Sequence, residues 1–354
     1  NNMVKITIND NVTKLKEKSK AKNTQDKYEG DWLKFIDYCK NKYHCNPIEV
    51  DDLDSAYALT ANYMDWLHED PEAKILKGSS NIPGREKINN NPYSSTAYKA
   101  STIQRILASI TYKYRLNGFQ FDRKNPNISE TISAIVRNEK NLKSGQAKEI
   151  LKDDLVKIIE AIPENDDDFR NIRDKALILM GFYSFCRRSE LLGMKFEHLN
   201  FGEDGIQVLI PFSKTDQSGE GRMIFLPKTN DDYCPIKALN NWLEVARIDN
   251  GSLFYKINKS NNIEKYTLNH KNIKMSLTDT HFVLMLKKRA VAAGLEDCDK
   301  ISGHSLRIGA ITQARMNGVP THEIMAQSGH KTTQMIDRYT KLSNIRETSA
   351  AKKI

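Results

Sequence analysis

The stretch from Ile301 to Lys341 limits what this chain can become more than any other, because it interrupts its own helices at defined places. Gly318 and Pro320 break one helical run, and Gly329 stops the short run that follows, Thr321 to Ser328. Three consecutive helices result, the last opening on an N-cap signal at Thr332. In the first, His304 and Arg307 are three residues apart and share a helix face. Leu306, Ile311 and Met316 are expected to turn toward a core, while Gly309 and Ala310 leave room for another backbone to approach. In the third, Tyr339 falls on the face of Met335 and Ile336, at i+4 and i+3. With His330 between them, two histidines, an arginine and a tyrosine are directed to one interior place. Such a set makes a poor core and a good phosphate site.

Upstream the pattern is also helical. Trp32, Phe35, Ile36 and Cys39 follow the spacing of a buried stripe. Asp54 to His68 carries Leu59, Tyr63, Trp66 and Leu67 inward, and Ser101 to Asn117 carries Ile103, Ile106, Leu107, Ile110 and Tyr114. Between them, residues 70–100 are polar and turn-rich and read as a long loop. A fourth helix, Ser129 to Lys143, has Ile132, Ile135 and Val136 inside and Arg137, Lys140 and Lys143 outside. Residues 1–22 form a basic arm of alternating lysines, 23–143 an all-helical domain, and 144–150 (SGQAKEI) a linker.

Residues 151–354 read as a mixed α+β domain with a small antiparallel sheet, so the chain is mainly α. Helices are expected at Asp153–Ala161 and Ile172–Ser184, with a short one at Glu190–Met194. Strands at Ile206–Ile210 and Arg222–Leu226 flank a turn-rich connection carrying Lys214. Pro235 opens a helix that buries Ile236, Leu239, Trp242, Leu243 and Ala246, and another runs from Phe282 to Ala293.

A chain of 354 residues can hold two cores. Lysine and arginine outnumber acidic residues 54 to 45, for a net charge of +9, which favours a polyanionic partner. The five cysteines are scattered without metal-ligand spacing, as in reduced, intracellular chains. No apolar run has membrane-span length and no secretory signal pattern is present, so a cytoplasmic location without membrane contact is expected. Neither a phosphate loop nor a carboxylate cluster spaced for divalent ions occurs, so no cofactor and no metal are expected.

In chain order the polar candidates are Arg187, Glu190, Lys214, His304, Arg307, His330 and Tyr339. The matching segments are Arg187-Arg188-Ser189-Glu190-Leu191, Lys214-Thr215, His304-Ser305-Leu306-Arg307, Gly329-His330 and Tyr339, nine residues after His330. On these the sequence resembles the tyrosine site-specific recombinases, the family of the lambda integrase and Cre. It is Cre-like from SGQAKEI onward and in the short segment after Tyr339. Two features depart from the family pattern. Cys186 stands where an apolar residue is usual, before two adjacent arginines, of which Arg187 is chosen because it lies three before Glu190. The 70–100 insert is not demanded by the family.

The resemblance implies a C-shaped clamp, with 23–143 as core-binding domain and 151–354 as catalytic domain ending in a tail helix. It implies strand cutting and rejoining through a 3′-phosphotyrosine, without ATP or metal. Arg187 and Arg307 would hold the phosphate, with His330 donating to the same oxygens. Tyr339 would attack, His304 would take its proton, Lys214 would protonate the departing 5′-oxygen, and Glu190 would orient His304 or Arg187. Arg105, Lys113, Arg137, Lys140, Lys143 and Arg188 are the expected DNA contacts, Arg188 pointing to solvent or to the DNA backbone. The implied partner is duplex DNA with inverted-repeat sites in a nucleoid-associated setting. The chain would be a monomer without DNA and a homotetramer on two sites, exchanging C-terminal tails. Two readings compete: a type IB topoisomerase, which shares this chemistry, and a DNA-binding module that has lost catalysis. The full set of site residues stands against the second.

Overall fold

The computed structural model describes residues 22–69, 98–140, 147–164, 167–211, 221–264 and 277–336. The chain divides into two compact units, Asn1–Ser144 and Gly145–Ile354.

The first unit is built from α1 (Lys22–Tyr43), α2 (Leu53–Glu69), α3 (Ala100–Leu116) and α4 (Pro126–Lys140). The apolar stripes meet as their spacing requires: Trp32, Phe35, Cys39, Leu59, Tyr63, Leu67, Ile103, Ile106, Leu107, Ile110 and Tyr114 are all buried in one cluster. Ile36 and Trp66 pack against it from the half-buried margin. Tyr114 stacks on Phe121 at 4.9 Å and takes Trp32 edge-on at 5.5 Å, so rings fill the centre. The fourth helix starts at Pro126, three residues before the expected Ser129. Asn125 accepts the Asn127 N–H at 3.0 Å through its side chain, and proline at the first helical position lacks the N–H that would otherwise be orphaned. The earlier start brings Ile128 into the core.

The second unit contains α5 (Lys152–Glu160), α6 (Phe169–Tyr183), α7 (Arg188–Leu192), β1 (Leu199–Phe201), β2 (Gly205–Ile210) and β3 (Arg222–Pro227). These are followed by α8 (Pro235–Ala246), the short pair β4 (Lys256–Ile257) and β5 (Ile263–Glu264), α9 (Asp279–Ala292), α10 (Ser305–Met316) and α11 (Thr321–Ser328). Helix α6 is covered on all sides, with Ala176 to Met180 wholly buried, which makes it the unit's central rod. The sheet is antiparallel in the order β1-β2-β3, and Ile210 pairs with Arg222 across the mouth of the hairpin. Strand β1 and the β4–β5 pair were not foreseen, because two- and three-residue strands carry no readable alternation. No helix among the described residues is long and apolar enough to cross a membrane.

Two expectations about α10 divide. Gly309 does admit a backbone: a Cβ there would lie 1.7 Å from the Ile150 carbonyl oxygen. Ile150 in turn donates to the Ser305 carbonyl at 3.2 Å, and Glu149 accepts from Thr312 at 3.0 Å. Residues 148–150, read above as the end of a linker, are thus fastened to α10, with Ile150 wholly buried. Met316, expected inside, is 45% exposed. It stands about 140° round the helix from Ile311, which takes it off the covered face.

Candidate active site

Helix α6 ends at Tyr183, and the chain reverses through Phe185, a non-glycine residue held at φ 56°. That left-handed turn is strained, and it aims the Phe185 carbonyl at Arg307. The Arg307 guanidinium donates from Nη1 to the carbonyls of Phe185 (2.6 Å) and Ser328 (2.9 Å). One arginine, 4% exposed, therefore ties α6, α10 and α11 together.

Arg307 Nη2 faces His330, 3.0 Å from Nε2. The Ser328 hydroxyl lies 2.8 Å from Nδ1. A guanidinium can only donate, and Nδ1 is 3.3 Å from the same Nη2; with the nearer Nε2 taken as the acceptor, Nδ1 carries the proton toward Ser328. The imidazole is then neutral. Burial, together with the charges of Arg307, Arg187 and Arg222, pulls its pKa down to about 4, against a weaker upward pull from Glu190. His330 was expected to donate to phosphate; in this state its Nε2 accepts. Because a hydroxyl donates or accepts by rotating, turning Ser328 O–H toward Nδ1 frees Nε2 to carry the proton instead.

This predicts an acid-sensitive fold. A histidine free in the unfolded chain titrates near about 6.5. Since the folded value is lower, the contribution is intact above that pH and is lost as pH falls through about 4. The loss should approach about 3 kcal/mol. Urea unfolding at pH 7.5 and pH 4.5 checks it: His330→Gln should show a clearly smaller acid loss than wild type, and equal losses would refute the assignment.

Arg187 caps the first turn of α7, its N–H bonded to Glu190 Oε2 at 2.9 Å and its Nη1 to Glu190 Oε1 at 2.8 Å. Of the two partners open to Glu190, the structure selects Arg187. The carboxylate, 8% exposed, is pushed up by burial, but the Arg222 hydrogen bond, the Arg187 N–H and the two guanidinium charges outweigh this and hold it below the usual range. Its second charged partner is Arg222, the first residue of β3, which donates from Nη2 to Oε2 at 2.9 Å. Arg222 had been read only as a strand residue. The local signal for it was slight: an arginine opening the strand after the Lys214 connection.

His304 is the exposed N-cap residue of α10, one turn before Arg307. Burial of part of its ring and the charges of Arg307, Arg188 and Arg187 lower its pKa, which leaves it able to accept a proton at neutral pH. Arg188 is partly exposed but already engaged. It pairs with Asp279 of α9 at 2.6 Å and packs so tightly on Gly303 that a Cβ there would meet its Cδ at 2.6 Å.

Among the described residues, then, Arg187, Glu190, Arg222, Arg307 and His330 form one connected group, with His304 at its edge. The group holds three guanidiniums and one carboxylate, which two of them contact, an excess of positive charge that an anion would neutralise. Lys214 and Tyr339 lie outside the described residues; residues 333–336, leading toward Tyr339, are helical and Ile336 is buried. In the first unit, Arg105 is paired with Asp31 (Nη2 to Oδ1, 3.1 Å) and Lys113 with Glu29, so both expected DNA contacts already hold carboxylates. Arg137 is exposed on α4, while the Lys140 side chain and Lys143 are outside the described set.

Residues 148–346 match the Phage integrase family. An integrase/recombinase xerD homolog from Selenomonas ruminantium is 30% identical over 334 residues, 93% of this chain and 84% of that protein. Tyrosine recombinase XerA from Pyrococcus furiosus is 22% identical over 70% of this chain and 71% of its own length. Among solved structures, the XerH site-specific recombinase bound to a palindromic difH substrate in a post-cleavage complex superposes with a TM-score of 0.53. It is 15% identical and the match covers 90% of this chain and 93% of that one, which speaks for a shared fold. With the family match spanning more than half of the chain and a 30% identical relative spanning nearly all of it, the chain belongs to the phage integrase family, the tyrosine recombinases.

Proposed function

We propose that this chain is a site-specific recombinase that cuts and rejoins duplex DNA through a covalent link between Tyr339 and a 3′-phosphate. The observation that carries the reading is the buried guanidinium group described above, set in a chain of this family. Arg307 is anchored by two carbonyls and Arg187 by a carboxylate, so neither has to reorganise when charge builds on a phosphate between them. Preorganised donors of this kind speed a reaction because they bind the five-coordinate state more tightly than the starting diester.

In the proposed step the Tyr339 oxygen bonds to phosphorus while the bond from phosphorus to the 5′-oxygen breaks. The phenolic proton passes to His304, whose lowered pKa keeps the ring unprotonated at neutral pH. Lys214 supplies a proton to the 5′-oxygen. Arg187, Arg307 and His330 hold the non-bridging oxygens, His330 after its tautomer changes. A 5′-hydroxyl from a second duplex then reverses the step, and the phosphotyrosine link retains the energy of the broken bond, so no nucleotide is consumed.

The same reading makes residues 23–143 a core-binding domain and 151–354 the catalytic domain. The partner is duplex DNA with inverted-repeat sites, bound as a tetramer on two sites with C-terminal tails exchanged between subunits. Exposed Arg137, with Lys140 and Lys143, is the proposed DNA-facing edge of the first unit. Arg105, Lys113 and Arg188 would reach phosphate only by leaving their carboxylates. Binding should weaken steeply as salt rises.

The test begins with duplexes selected from a random pool by binding to the full chain. A nicked version of the selected site should trap a protein–DNA adduct that survives a denaturing gel, and peptide mapping should place the DNA on Tyr339. Linkage to another residue would remove the nucleophile assignment. Relaxation of supercoils without any recombinant product would favour the topoisomerase reading.

A further inference from the structure

Arg222 is held in an unusual way. Its Nη2 is bonded to Glu190 Oε2 at 2.9 Å and lies 3.6 Å from Cys186 Sγ, but Nε and Nη1 are buried with no hydrogen-bond partner among the described residues. Buried guanidinium donors are costly to leave unpaired, so a purely structural arginine here would be a poor choice against an apolar residue. The guanidinium also lies directly beneath the peptide that leads into His330. A Cβ on Gly329 would meet Arg222 Cζ and Nη1 at 2.9 Å and Nε at 3.0 Å, and Gly329 sits at φ +69°. Glycine is favoured at that position by its backbone conformation, and the absence of a Cβ lets the charge pack close beneath it.

On the one side, therefore, Arg222 touches the carboxylate that aims Arg187; on the other it touches the turn that carries His330. We propose that Arg222 is a positioning residue for strand cleavage, acting through Glu190 on Arg187 and through the Gly329 turn on His330. This rests on the recombinase reading given above. Without Arg222, Glu190 keeps only Arg187 as a charged partner and can swing with it. The turn at Gly329 also loses the plane it packs on. The groups that face His330 are Arg307 from α10, Arg187 and Glu190 from α7, Arg222 from β3 and the Ser328 hydroxyl. Removing one cation from this set makes the imidazole easier to protonate. The acid loss of stability that His330 sets then becomes smaller, because its folded pKa moves back toward the free value.

The experiment measures single-turnover adduct formation at pH 7.5 on the nicked duplex selected with wild type, together with duplex affinity and urea unfolding at pH 7.5 and pH 4.5. Arg222→Gln should cleave about 10- to 100-fold more slowly, with affinity within about threefold of wild type and a smaller acid loss of stability. Arg222→Lys keeps the charge but not the planar fork, so its acid loss should match that of wild type while its rate falls about tenfold. If Arg222→Gln does not fold, the lysine variant alone decides. A wild-type rate in either variant overturns the proposal. So does a rate loss in Arg222→Gln that follows the unfolded fraction while its acid loss equals that of wild type. Failure of wild type to form an adduct would instead overturn the recombinase reading.

Discussion

Tyr339→Phe is expected to abolish the protein–DNA adduct while leaving duplex affinity within about twofold of wild type. The substitution removes one oxygen and keeps the ring. Everything that binds phosphate in the proposed site belongs to other residues, so recognition should persist while chemistry stops. Loss of the attacking group in other covalent enzymes costs about a millionfold, which here means no detectable product. Two other tyrosines of the second unit offer no easy substitute. Tyr183 and Tyr233 have hydroxyls engaged with Lys152 and Glu160. The bond to Glu160 moves the Tyr233 phenol up, the wrong direction for a nucleophile. A phenylalanine variant that still traps DNA would show that the attacking oxygen has been misassigned.

Arg307→Lys should be nearly as severe, and in two separate measurements. Lysine carries the same charge on a single nitrogen and cannot meet the Phe185 and Ser328 carbonyls while also facing His330. Its shorter ammonium would leave at least one of these buried groups wanting a partner, at a cost of about 1–3 kcal/mol in unfolding free energy. Cleavage should fall about a thousandfold, because one nitrogen cannot supply the preorganised fork that faces the phosphate. Urea unfolding and single-turnover cleavage read the two effects independently. Stability within about 0.5 kcal/mol of wild type would mean that the carbonyl contacts contribute little. A rate within tenfold would mean that Arg307 is not a principal phosphate ligand.

The two predictions differ in origin. Tyr339 was legible in the sequence because its claim rests on residue order alone: a tyrosine nine residues after Gly329-His330, preceded by His304-Ser305-Leu306-Arg307. The anchoring of Arg307 was not legible, since its carbonyl partner Phe185 lies 122 positions away and is available only because that residue adopts a left-handed turn.

The same division runs through the whole molecule. Periodic spacing by itself determined the helices of both units, the buried stripes from Trp32 to Tyr114 and the need for a small residue at Gly309. Each of these depends on neighbours within a turn or two, where helix geometry leaves little choice. Tertiary structure alone decided that Glu190 serves Arg187 and Arg222, the latter 32 positions on, and that Arg188 is spent on Asp279, 91 positions on. It also decided that Asp31 and Glu29 occupy Arg105 and Lys113, and that Ile150 is the backbone lying against Gly309. A charged side chain carries no mark of which distant partner will meet it. That pairing is settled only when packing brings the elements together and desolvation makes an unpaired charge too costly to keep.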